Sequence, residues 1–213
     1  MTLKTSSSLL FLVFFQIFSV KAQYCTPSPT TTAEGEITNV VLMGATYGIS
    51  NFTTCPTVAA FENYTSVDSA NVIQGSSYTA TITISPCGGF ALDPGACEAW
   101  IDWNQNGVYN TNESIGSWTG NIYSSNKTAT FNFTVPVSAS VGRTRLRILL
   151  RQGYGAANTP PLNPCTGGFT YGAVEDYTIQ VQAVPSPCPG PTSPSVGVVS
   201  DSSAVIYWNS TQS

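Results

Sequence analysis

Apolar and polar residues alternate one for one along most of this chain, and helical periodicity is absent beyond its N-terminal apolar run. A period of two sends successive side chains to opposite faces of an extended strand, so it demands sheets with one apolar face each. "SYTATITIS" sets Tyr78, Ala80, Ile82 and Ile84 against a solvated row of Thr79, Thr81 and Thr83. "CEAWIDWN" sets Ala99, Ile101 and Trp103 against Glu98, Trp100 and Asp102. "TATFNFTV" opposes Phe131, Phe133 and Val135 to Thr130, Asn132 and Thr134. "GRTRLRILLR" opposes Arg143, Arg145 and Arg147 to Leu146, Ile148 and Leu150, and "VEDYTIQVQ" opposes Tyr177, Ile179 and Val181 to Asp176, Thr178 and Gln180. With "EITNVVLM" near residue 40 there are at least six strands with turn residues between them. Such strands predict an all-β fold, an antiparallel, jelly-roll-like β-sandwich.

The ends of the chain read differently. Lys4, the apolar run "SLLFLVFFQIFSV" and the Val-x-Ala site at Ala22 make residues 1–22 a signal peptide. The run is too short to span a membrane. Cleavage near Ala22 predicts a secreted or cell-surface protein. The sandwich occupies residues 23–183, and residues 184–195 form a Pro- and Ser-rich linker. In residues 196–213, Ala204, Ile206 and Trp208 alternate onto one face that two strands cannot bury alone. That tail reads as the start of a truncated domain.

Loss of Lys4 and Lys21 leaves five basic residues against eleven acidic ones. An acidic, charge-poor chain lacks the electrostatic footprint for nucleic acid and the basic face for anionic lipid, so neither nucleic-acid binding nor membrane insertion is expected. Histidine is absent and the six cysteines form no CxxC pair, which disfavours zinc and leaves no Ser-His or Cys-His pair for nucleophilic catalysis. In an exported chain the cysteines read as disulfides. Cys87 and Cys97 flank a Gly- and Pro-rich turn and are the first expected pair; Cys25 with Cys55 is the second. Cys165 pairs with Cys188, or Cys188 has a partner beyond this chain.

Two stretches resemble known families. "TGGFTYGAVEDYTIQV" is similar to the motif of the GEVED domain, a module of secreted bacterial surface proteins, with Phe169, Thr170, Tyr171, Gly172, Val174, Glu175, Asp176, Tyr177 and Thr178 matching. Ala173 stands where the motif has its first glutamate. "WIDWNQNGVYN", "TRLRILLR" and "YCTPSP" resemble further parts of the same family, over about residues 24–183. The tail resembles the opening of a fibronectin type III domain, whose second strand has the spacing of Ala204, Ile206 and Trp208. The resemblances imply a non-catalytic β-sandwich module beside adhesive repeats, peptidases or sorting domains.

"DWNQNGVYNTNE" fits the twelve-residue calcium-loop pattern at each fixed position. Its oxygen donors are Asp102, Asn104, Asn106, the Val108 carbonyl, Asn110 and Glu113, with Gly107 permitting the turn. Two carboxylates predict a structural Ca²⁺ of extracellular grade, with a Kd of about 10⁻⁴–10⁻³ M. A strand leads into the loop and no helix follows, so it is not an EF-hand. By alternation Glu175 lies on the core face and needs a cation or hydrogen bonds, whereas Asp176 faces outward toward the row Arg143, Arg145 and Arg147. These five residues are expected to form structural ion pairs. Trp100, on the polar face of its strand, and Tyr109, with Trp118 and Tyr123 in turn-rich sequence, are candidate contacts for a sugar ring. The expected function is adhesion or binding of an extracellular protein or glycan. The alternatives are a carbohydrate-binding module, and an accessory domain of a secreted peptidase or glycosidase.

Overall fold

The alternating segments are strands in the computed structural model, which describes residues 23–32, 35–55, 59–87, 94–122, 125–153, 159–185 and 192–209. Residues 1–22 (expected to be a signal peptide), Tyr123, Cys188 and the Trp208 side chain lie outside what is described. In chain order the strands are β1 (Glu36–Leu42), β2 (Ile49–Phe52), β3 (Phe61–Asn63), β4 (Ser69–Ile73), β5 (Ser77–Ser85), β6 (Pro94–Ile101), β7 (Ser114–Asn121), β8 (Lys127–Thr134), β9 (Gly142–Gln152), β10 (Gly172–Gln182), β11 (Thr192–Val199) and β12 (Ala204–Asn209). One sheet has the order β2-β1-β5-β8; the other runs β10-β9-β6-β7, with β3 and β4 both on the free edge of β10. Pairing is antiparallel except at that edge, where β3 and β4 run parallel to β10. No helix among the described residues is long and apolar enough to cross a membrane.

The first core lies between the sheets. Ile37, Val40, Leu42, Ile82, Ile84, Ile101, Phe131, Leu146, Ile148, Tyr177 and Ile179 fill it, as the alternation requires. A second core covers the outer face of the larger sheet. There Trp100, Leu149 and Val174 pack with Tyr109, Leu162 and Phe169, flanked by Tyr24 and Phe61. The face of β6 expected to be polar is therefore buried: Glu98, Trp100 and Asp102 are all closed off from solvent. Its cover consists of loops far away in sequence. The N-terminal segment bridges Ser28 to Gly167 and Thr31 to Tyr171, and the loop after β9 places Leu162 over Glu98.

The disulfides differ from both expected pairs. Cys55 joins Cys87, and Cys25 joins Cys165. The first follows from topology: β2 and β5 flank β1 and both run antiparallel to it, so the chain leaves both at the same end of the sheet. Cys97 is unpaired and buried between the sheets, because β6 turns it inward. Burial holds its thiol well above the usual range, with Glu175 and Glu98 adding to the effect. β11 and β12 form a two-stranded sheet of their own, with Val196, Val198 and Ile206 exposed.

Candidate functional site

Three groupings of polar side chains are built on this frame. The first sits on the outer face of β9 and β10. These strands pair Arg147 with Asp176 in register. The Arg147 Nε donates to Asp176 Oδ1 at 2.7 Å and its Nη2 to Oδ2 at 2.8 Å, a bidentate fork. Its remaining donors reach the Pro164 and Cys25 carbonyls at 2.9 Å. Arg145 adds a 3.0 Å ion pair to the same carboxylate and lies over the Tyr24 ring. Asp176 is thus on the face expected, but that face is covered and the carboxylate is fully buried. Arg143 does not join it; its guanidinium donates to Thr178 Oγ1 and the Thr65 carbonyl. Burial, the largest single influence, pulls the Arg147 guanidinium down, but the hydrogen bond and charge of Asp176 together with Tyr109 and Tyr24 outweigh it and hold the group above its ordinary value. The cluster therefore fastens the Cys25–Cys165 region onto the sheet.

The second grouping is the loop between β6 and β7. Asp102 Oδ1 accepts from Asn106 N, and Oδ2 from Gly107 N and the Tyr24 hydroxyl. Asn104 Oδ1 accepts from Asn106 N, and Asn106 Oδ1 from Val108 N. Gly107 has φ +80°, which a side chain disfavours. A single 3₁₀ turn, Thr111–Glu113, stands where an EF-hand has its exiting helix. Glu113 points inward: its carboxylate accepts from Asn104 N at 3.4 Å and Asn110 N at 2.8 Å. Backbone amides thus fall on both carboxylates of the loop. Tyr24 closes its mouth, and burial pushes its hydroxyl up to about 12. Trp100 and Tyr109, the candidate ligand contacts, are only 2% and 6% exposed. Neither reaches a sugar, because the long-range loops cover both rings. Trp118 is half-buried against the inter-sheet core.

The third grouping lies between the sheets, where the sequence pattern gave only Glu175. The Glu36, Glu62 and Glu175 carboxylates each place an oxygen within 4.8 Å of the others. Glu175 Oε2 accepts from the Tyr177 hydroxyl at 2.6 Å, and Glu62 Oε2 from the Tyr64 hydroxyl at 2.8 Å. The two tyrosine rings stack at 5.4 Å. Burial raises the Glu175 carboxyl well above its ordinary value, and Glu36 and Glu62 push it further in the same direction. No local signal marks Glu36 or Glu62, since only tertiary pairing brings them to β10.

Residues 96–180 match the GEVED domain. The GEVED match spans β6 to β10, and so includes the candidate loop, the arginine strand and the Glu175–Asp176 pair. Its motif glycine, Gly172, has φ +139° and leaves no room for a Cβ against the Leu150 carbonyl. Ala173 is buried on the inter-sheet side with Glu175, so the carboxylates beside Glu175 come from Glu36 and Glu62 instead. No curated protein matches the chain in sequence. Among solved structures it is similar to a CARDB domain from Pyrococcus furiosus, solved in complex with di-metal ions, at 14% identity and a TM-score of 0.35, over 73% of this chain and 99% of that one. A Niemann-Pick type C2 protein from Japanese carpenter ant matches at 7% identity and a TM-score of 0.38, over 74% of this chain and 99% of that one.

Proposed function

We propose that this chain is a non-catalytic, exported β-sandwich module of a multidomain surface protein, built to hold its shape outside the cell while it binds or spaces. The observation that carries the reading is the outer-face clasp. Arg147, Asp176 and the Cys25–Cys165 disulfide tie an N-terminal segment across the sheet, with the strongest polar groups spent on structure. A clasp of this kind suits an oxidising compartment, where a bridge closing so long a loop stabilises most. Its 140-residue sequence separation predicts that Cys25→Ser with Cys165→Ser costs about 2–5 kcal/mol by chemical denaturation. An unchanged midpoint would overturn the structural reading. The tail, on this view, opens a fibronectin-like unit.

Calcium belongs to this reading at the Asp102–Glu113 loop. Amides already satisfy part of each carboxylate, so an ion there would share existing order and add a small melting shift at ~10 mM Ca²⁺. Carbohydrate binding is the second reading, and it moves to another surface. Phe52 is 79% exposed and lines a groove of about 400 Å³ with Asn39, Thr53, Thr83 and Asn126. A glycan array read with Phe52→Ala tests it; no hits with either protein would remove it.

A further inference from the structure

Glu62 and Glu175 sit directly opposite one another on paired parallel strands. Like charges in that position repel. Glu36 approaches from β1 of the other sheet and adds a third carboxylate within 4.8 Å. The basic side chains of the neighbouring strand offer no relief, because Arg145 and Arg147 are on the opposite face of the sheet, bound to Asp176. Carboxylates that meet in a low-dielectric interior are stabilised by a shared cation or proton.

Hydrogen-bond accounting locates the open position. Glu175 Oε2 is occupied by the Tyr177 hydroxyl, which in turn accepts from Asn51 Nδ2 at 2.8 Å. Glu175 Oε1 is buried and has no hydrogen-bond partner among the described residues. An unpaired buried carboxylate oxygen is an open ligand position, and the donor set and the opening beside Glu62 favour a cation there. The donors are all oxygen, the set that hard cations prefer. Ca²⁺ holds its ligands at about 2.3–2.6 Å, so two of them can lie up to ~5 Å apart, and the observed spread falls inside that limit. Glu62 is partly exposed, which leaves a way in and room for water ligands.

We propose that Glu36, Glu62 and Glu175 form a Ca²⁺ site that ties the two sheets of the sandwich together. The site is independent of the Asp102–Glu113 loop and of the module's adhesive or glycan reading. Asn51 and Tyr64 position its carboxylates from outside.

The test is calorimetric titration of Ca²⁺ into the chelator-treated full chain, with melting followed in parallel. Glu62→Gln is the main variant, since its partial exposure spares the fold; Asn106→Ala perturbs only the loop. The expected result is binding weakened about tenfold or more, and most of the melting shift lost, in Glu62→Gln but not in Asn106→Ala. Three results would overturn the proposal: no Ca²⁺ binding by the parent chain, binding lost only in Asn106→Ala, or binding by Glu62→Gln and Glu175→Gln as tight as the parent's. A chelator-treated Glu175→Gln more stable than the parent, in a chain that does not respond to Ca²⁺, would assign the cluster to a bound proton and likewise overturn it.

Discussion

Asp176 is held by two arginines, and the cost of removing it is what they would lose. Arg147 is fully buried with its fork on that carboxylate, so Asp176→Ala strands a charge with no water to take it. We expect a loss of about 3–5 kcal/mol in urea denaturation, far above the value of an exposed pair. Arg143→Ala, exposed and bound only to Thr178 and Thr65, should cost below about 1 kcal/mol. Glu175, one residue earlier, gives the opposite kind of signal. Its folded carboxyl titrates above its ordinary 4.5. The folded state then holds the proton more tightly than the unfolded one. Stability from this group is complete below 4.5 and is lost as pH rises through the raised value. Glu36, Glu62, Tyr64 and Cys97 face it from neighbouring segments and Tyr177 from its own strand, and all remain in both proteins compared. In chelator, the stability of the parent against denaturant should therefore fall with rising pH above 4.5, and Glu175→Gln should flatten that slope. Parallel slopes would assign the proton to another group.

At the scale of elements, the β6–β7 loop shows what a pattern match contains. Its sequence prescribes Asx turns and a glycine at the sharp bend, and the structure has both. Gly107→Ala forces a side chain into φ +80° and should cost about 1–2 kcal/mol, read as a shift in denaturation midpoint with unchanged slope. Strands β5 and β8 were legible in full, because one face of each is wet: Thr79 bonds Asn132 across the exposed side while Ala80 and Ile82 are buried. Strand β6 was legible on one face only. Alternation distinguishes apolar from polar positions, and it read Glu98, Trp100 and Asp102 as a wet row. Glu98 instead accepts from Ser114 and from Leu162 N, a partner 64 residues away. Buried polar groups with partners look like surface groups in a sequence, since only the partner makes them differ.

At the scale of the molecule, the sandwich and the tail are separate pairing systems. β11 and β12 pair with each other and extend neither of the larger sheets. Deleting residues 186–213 should move the sandwich melting temperature by less than about 2 °C, below what 1 kcal/mol gives in a domain of this size. A drop of several degrees would show that the hairpin supports the sandwich.

The sequence by itself determined the class of fold, the inward row of each strand, the turn chemistry of the Asp102–Glu113 loop and the motif around Gly172 and Asp176. These are local properties, written in a period of two and in backbone preferences. Tertiary structure alone decided the disulfides, the second core that takes in Trp100 and Tyr109, and the meeting of Glu36, Glu62 and Glu175. Each depends on which strand ends lie side by side and which loops fold back, and that follows from strand order and register across segments far apart in the chain, which periodicity does not record.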